Sequence, residues 1–279
     1  KNLISHFASV TGSLALAFAT SFWAIATEAE VYSLSVLFTS MMVWMMMRLN
    51  DAESNYKSRW IILLGLIAGL SVGVHLLNIL IIPALVMMFY FGNFRFSYRS
   101  FGVALGLAFG IMLALQIFIS GFPVMASWFE RFFVNSLGAT YNTGLFVFAA
   151  FVILLLVLGI YISGVKNRRV LNLIFTTSAV FVSGYSIYTM VLIRSAANPP
   201  IDQYNTENIY NFISYLNREQ YGERPLWKGH QYSSPVNLVS PYTEGYEIYD
   251  TVGGEYKVVA HKPVANYEKG SSKVLPRMW

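Results

Sequence analysis

Seven stretches of nearly uninterrupted apolar side chain constrain this chain more than any other feature. They lie at about 7–26, 31–48, 60–76, 78–92, 101–120, 144–164 and 171–193. Most approach the ~20 residues that a helix needs to cross a bilayer. Hydrophobic residues make up 56% of the 279 and charged ones only 12%, where soluble domains carry roughly 25% charged residues. No single water-facing core could hide that much apolar side chain, so the chain needs a second solvent, and the bilayer supplies it. The 21 Phe, 18 Tyr and 6 Trp suit aromatic belts at the two membrane interfaces. The expected fold is an all-α polytopic membrane protein of about seven membrane helices, with a small mixed α/β region at the C-terminus.

The segment from Ile61 to Phe91 is too long for one ordinary crossing and a little short for two. Gly73, His75, Asn78 and Pro83 mark a break near its middle. Charge decides between the readings. If the segment crosses twice, Arg48, Lys57, Arg59, Arg95, Arg99, Lys166, Arg168 and Arg169 share one side, against Arg131 alone in the short loops of the other. If it crosses once, the basic residues divide almost evenly. The positive-inside rule therefore favours two short crossings, with Lys1 in the cytoplasm and everything after Arg194 exported. Domains 1–193 (transmembrane) and 194–279 (exported) follow. The exported side then holds Glu28–Glu30, the His75–Asn78 turn, the 121–143 loop and the tail.

The formal net charge of +5 does not indicate nucleic acid, because the basic residues sit in short clusters between apolar runs. Cysteine is absent, which removes disulfides and thiolate metal sites. The chain opens on Lys1 rather than Met, has no signal-peptide pattern, and reads as a piece of a longer or processed protein. In the tail, Pro199-Pro200 ends the last membrane helix. Asn205 is the expected N-cap of an amphipathic helix whose apolar face is Ile209, Phe212, Ile213 and Leu216, with a stop at Gly222. Glu247–Asp250 and Glu255–Ala260 flank Gly253-Gly254 and read as a β-hairpin.

Few residues offer chemistry. Glu28 and Glu30 fall between the first two spans, where carboxylates are costly unless wet or paired. They either line a cavity together or belong to a solvated loop. His75 and Asn78 share a helix face at i, i+3; they either line a site for a phosphate or sugar hydroxyl or satisfy backbone freed at the break. Arg131 lies in Trp128-Phe129-Glu130-Arg131-Phe132-Phe133, which looks like an interfacial helix. Its guanidinium suits a lipid-linked phosphate, or it pairs with Glu130 or with headgroups. No His or carboxylate stands at metal-ligand spacing, and neither a P-loop nor a nucleophile-elbow or dinucleotide motif is present.

Three segments carry a family resemblance. They are Ser21-Phe22-Trp23 through Glu28-Ala29-Glu30-Val31-Tyr32-Ser33-Leu34; Gly69-Leu70-Ser71-Val72-Gly73-Val74-His75-Leu76-Leu77-Asn78 with Ile82-Pro83-Ala84; and, in the tail, Asn198-Pro199-Pro200 with Tyr215-Leu216-Asn217-Arg218-Glu219-Gln220-Tyr221-Gly222-Glu223-Arg224-Pro225-Leu226. Across nearly the whole chain this resembles bacterial membrane proteins of formerly unknown function that are similar to transmembrane protein O-mannosyltransferases of the GT-C class. The resemblance implies transfer of a sugar from a polyprenyl-phosphate donor to an exported protein acceptor, in contact with membrane lipids, at the periplasmic face of an inner membrane. It implies a catalytic acidic residue just after a first membrane helix that lies upstream of Lys1. No cofactor is expected, the lipid-linked sugar donor being a substrate, and the sequence leaves a divalent-metal requirement open. Glu28, Glu30, His75 and Asn78 match family motif positions. The competing readings are a transporter or flippase, which also uses broken helices with polar residues at the break, and a non-enzymatic membrane scaffold.

Overall fold

The computed structural model describes residues 2–28, 30–202, 204–221, 225 and 227–277. Helices occur where the apolar runs predict them: α1 (Asn2–Ala17), α2 (Thr20–Thr27), α3 (Tyr32–Asp51), α4 (Ser54–Val74), α5 (Ile82–Asn93), α6 (Tyr98–Arg131), α7 (Thr143–Val165), α8 (Arg169–Tyr185) and α9 (Thr189–Ser195). Among the described residues six helical segments are long and apolar enough to span a membrane. The bent pair α1–α2, with an angle of 58°, makes a seventh. The chain is therefore a polytopic helical membrane protein with a small sheet-bearing C-terminal region. It divides into two compact units, Lys1–Gln116 with Ile153–Tyr188, and Ile117–Val152 with Thr189–Trp279.

In the first unit the break within Ile61–Phe91 falls as the sequence predicts. His75 adopts an extended backbone (φ −151°, ψ 116°) that ends α4, and a 3-10 turn over Leu76–Ile81 leads into α5, with Pro83 in its first turn. Proline is accommodated there because the first-turn N–H groups have no helical acceptor to lose. The chain reverses at this break. Lys57, near the start of α4, donates to Asn93 Oδ1 at the end of α5 (2.8 Å), and Asn93 Nδ2 donates to Asn50 Oδ1 at the end of α3 (2.9 Å). Helices α4 and α5 are thus two antiparallel segments rather than one. Met42, Met45, Met46 and Leu49 of α3 form the buried core of this unit with Ile67 of α4 and Leu85 of α5.

Helix α4 also lies against α8 at close range. A Cβ placed on Gly69 would sit 2.2 Å from the Phe181 carbonyl oxygen, and one on Gly184 would sit 2.7 Å from Leu70 N. Gly65, Gly69 and Gly73 repeat every four residues along this face. In lipid the two helices gain little from hiding apolar surface, so small residues that let backbones approach supply the contact.

Two helix boundaries differ from expectation. Helix α6 is continuous over 34 residues, and a π-helical turn, Phe132–Ser136, follows it, so most of the expected 121–143 loop is helical. The helix carries Pro123 internally, and its apolar sequence continues through Trp128-Phe129. At about 51 Å it is much longer than the ~30 Å hydrocarbon core. The last span ends at Ser195, ahead of the Pro199-Pro200 pair, and Asn198 adopts a left-handed backbone (φ +49°) before the prolines are reached.

In the second unit the amphipathic helix is α10 (Ile209–Leu216), with Ile209, Phe212 and Leu216 buried. Its N-cap is Asn208, whose side chain accepts from Asn211 N, and not Asn205. Asn205 has a left-handed backbone (φ +41°) and supplies instead the carbonyl that Asn211 Nδ2 donates to. The helix ends at Leu216 because Arg218 turns left-handed (φ +57°); the expected stop, Gly222, lies outside the described residues. Strand β1 (Lys228–Gly229) pairs antiparallel with β4 (Lys273–Val274), and β2 (Tyr242–Val252) pairs with β3 (Glu255–Ala265). The β2–β3 hairpin turns on Gly253 and Gly254, both at positive φ as a tight hairpin turn requires, and it extends beyond the two runs expected.

Candidate functional site

Two polar clusters stand out, one in each unit. The first surrounds the break after α4. Asn78 is buried; its Oδ1 accepts a hydrogen bond from the Ser35 hydroxyl of α3, and its Nδ2 donates to Ser71 O (3.1 Å). His75 N donates to the same Ser71 carbonyl (2.9 Å), and Asn78 N donates to His75 O (3.0 Å). The His75 ring meets the Tyr32 ring edge-on, with centroids 5.6 Å apart. The break thus exposes backbone groups that a short amide side chain ties back to two helices. Among the described residues the fully buried Ser71 hydroxyl has no hydrogen-bond partner, so some polar capacity at this knot is unused.

Glu28 is the C-cap residue of α2, and Glu30 follows in the turn to α3. Both are exposed, and among the described residues neither carboxylate has a hydrogen-bond or ion-pair partner. The turn that carries them enters α3 at Tyr32, which touches His75. Tyr32 and Ser35, the partners of His75 and Asn78, are not singled out by sequence pattern as site residues. Their one available signal is the i, i+3 spacing, which places both on the face of α3 turned toward the break.

The second cluster is centred on Glu130, which is fully buried. Its Oε1 accepts from Asn142 N (2.6 Å) and from the Tyr256 hydroxyl (3.2 Å), and its Oε2 accepts from Leu145 N (3.1 Å). The carboxylate therefore caps the N-terminus of α7, where helix amides and the helix dipole both favour negative charge. Gly144 makes this possible, because a Cβ there would lie 2.3 Å from the Glu130 Cα.

Arg131 does not pair with Glu130. Its guanidinium donates to the Tyr249 hydroxyl (3.2 Å) and lies over the Tyr249 ring, while that hydroxyl donates to Glu247. Tyr249 in turn stacks on Tyr210, with centroids 4.3 Å apart. Burial pushes Tyr210 up to about 12 against the opposing pull of Arg131. Burial and the adjacent Glu130 carboxylate hold Tyr256 well above the usual phenol range. The bond to Glu247, followed by burial, raises Tyr249. Among the described residues no three His, Cys, Asp or Glu side chains are grouped to hold a metal ion.

The N-terminal polar cluster falls in a segment with recognisable relatives. Residues 1–97 match the family of the protein O-mannosyl-transferase TMEM260 N-terminal domain. The resemblance to protein O-mannosyltransferases thus holds over the segment that contains Glu28, Glu30, His75 and Asn78. Residues 222–279, which include the β2–β3 hairpin, match a family of unknown function (DUF8416). Residues 98–221 lie outside both matches. No curated protein and no solved structure matches the chain.

Proposed function

We propose that the protein acts as an O-mannosyltransferase-like enzyme of the GT-C class, moving a sugar from a polyprenyl-phosphate donor to a hydroxyl of an exported protein. The observation that carries this reading is the match over residues 1–97, which encloses the polar end of the α3–α4–α5 bundle. Lipid-linked transfer needs a base within hydrogen-bond reach of the acceptor hydroxyl and donors around the leaving phosphate. Among the described residues the carboxylates of Glu28 and Glu30, in the turn leading to Tyr32, have no partner. His75 and Asn78 frame the break in the same unit. On this reading residues 1–193 form the membrane domain, and the region from 194 lies on the exported side, the periplasm of a bacterium.

The test incubates the full-length protein with labelled polyprenyl-phosphate hexose and an acceptor peptide containing Ser and Thr. Label on the peptide, reduced by Glu28→Gln or Glu30→Gln, is the expected result. A transporter is the second reading, favoured by the chain reversal at a polar helix break. Absence of transfer, together with substrate movement across liposomes containing the protein, would replace the first reading with the second. If both Gln variants keep full activity, the two glutamates are a solvated loop.

A further inference from the structure

The second unit carries a cleft of about 350 Å³ that the proposed transfer reaction does not use. Three segments line it: Tyr141-Asn142 before α7, Asn205 and Asn211 around the start of α10, and Asp250 and Tyr256 of the hairpin. Each segment is held by a bond already described. Glu130 binds Asn142 N and the Tyr256 hydroxyl. Asn211 Nδ2 donates to Asn205 O (2.8 Å). Tyr141 packs edge-on against Tyr256 at 5.4 Å. The walls are therefore set before any ligand arrives.

The chemistry of the lining is selective. Asn142 and Asn205 both adopt left-handed backbone (φ +69° and +41°) and are exposed, and among the described residues their side-chain amides have no hydrogen-bond partner. An amide offers two donors and an acceptor together, which suits neighbouring hydroxyls that each give and take a hydrogen bond. Tyr141, 40% exposed, presents ring surface on which a C–H face can lie. Among the described residues no Lys or Arg lines the cleft, whereas Asp250 and Glu207 do. A phosphate or carboxylate would meet Asp250 and Glu207 in the lining, while the guanidinium of Arg131 is engaged by the Tyr249 hydroxyl and ring. The volume lies near the lower end of the ~300–1,000 Å³ range of small-ligand sites, enough for one or two sugar rings.

We propose that this cleft binds a neutral sugar, with Asn142 and Asn205 reading its hydroxyls and Tyr141 stacking on its ring. Binding here goes beyond the transfer reaction and does not depend on it, so a protein that transfers nothing would still bind sugar. The experiment is saturation-transfer NMR on the full chain in detergent with mannose and glucose, and with glucuronate as the anionic comparator. Saturation should pass to the hexoses and not to glucuronate. Asn142→Gly combined with Asn205→Gly removes both amides while keeping the left-handed backbone available; it should weaken hexose binding roughly tenfold. Asp250→Asn keeps an acceptor for Thr251 N and removes the charge, so it should let glucuronate bind. No transfer to hexoses, equal transfer to glucuronate in the wild-type chain, or unchanged affinity in the double variant would each overturn the proposal.

Discussion

Replacing Glu130 tests the architecture of the second unit most directly. The carboxylate is fully buried and accepts three hydrogen bonds, two from the N-terminal amides of α7 and one from Tyr256. In Glu130→Gln the amide oxygen can keep Asn142 N and Tyr256, but the new NH2 group faces the Leu145 N–H, donor against donor. One buried unsatisfied donor costs about 1–3 kcal/mol. Glu130→Ala strands all three donors beside a cavity and removes the charge from the positive end of the helix dipole. Hydrogen bonds to charged groups contribute about 1.5–3 kcal/mol each; with partial recovery by water, the expected loss is roughly 3–5 kcal/mol. At about 2–4 °C per kcal/mol, the Ala variant should melt roughly 6–20 °C lower and the Gln variant about 2–12 °C lower. Thermal unfolding in detergent, followed by near-ultraviolet circular dichroism of the tyrosines, reads the shift. Hydrogen exchange at the Asn142 and Leu145 amides localises it. If Glu130→Ala melts within about 1 °C of the parent and exchanges those amides no faster, the capping argument is wrong.

Gly69→Ala should destabilise the first unit by about 1–3 kcal/mol, since its Cβ would lie 2.2 Å from the Phe181 carbonyl and force α4 and α8 apart. Gly106→Ala, where a Cβ meets open space, should be neutral or slightly stabilising, and melting curves of the pair separate packing from helix propensity. Asn78→Ala leaves the buried Ser35 hydroxyl without its acceptor and should cost about 1–3 kcal/mol; a double-mutant cycle with Ser35→Ala should show coupling of at least about 0.5 kcal/mol, and additivity would refute the pairing. The tyrosines predict an alkaline limit. Tyr210 is raised to about 12 and Tyr256 is raised as well, so below the unfolded value of about 10 both states are protonated and stability is complete. Between about 10 and 12 only the unfolded chain loses its protons, and stability falls; tyrosinate absorbance against pH, alongside melting temperature, measures both effects.

The second cluster was hard to read from sequence. Glu130 looks like half of an exposed ion pair with Arg131 because the two are adjacent. In the helix, however, neighbouring residues point about 100° apart, so Glu130 turns inward to α7 and Arg131 outward to Tyr249. Tyr256 lies 126 residues further on, and local spacing carries no trace of such a contact. Asn205 and Asn208 both have capping chemistry; the choice between them depends on backbone angles that the amphipathic pattern leaves open.

The membrane architecture was legible because it depends on amounts. Twenty apolar residues in succession have one good solvent, whatever packs against them. The break at His75 was equally local, since Gly73, Asn78 and Pro83 disfavour uninterrupted helix on their own. Which partners closed the break, how near Gly69 let α8 approach, and where a buried carboxylate found its donors depend on groups brought together from distant parts of the chain. Those contacts act over a few ångströms, so only the tertiary structure decides them.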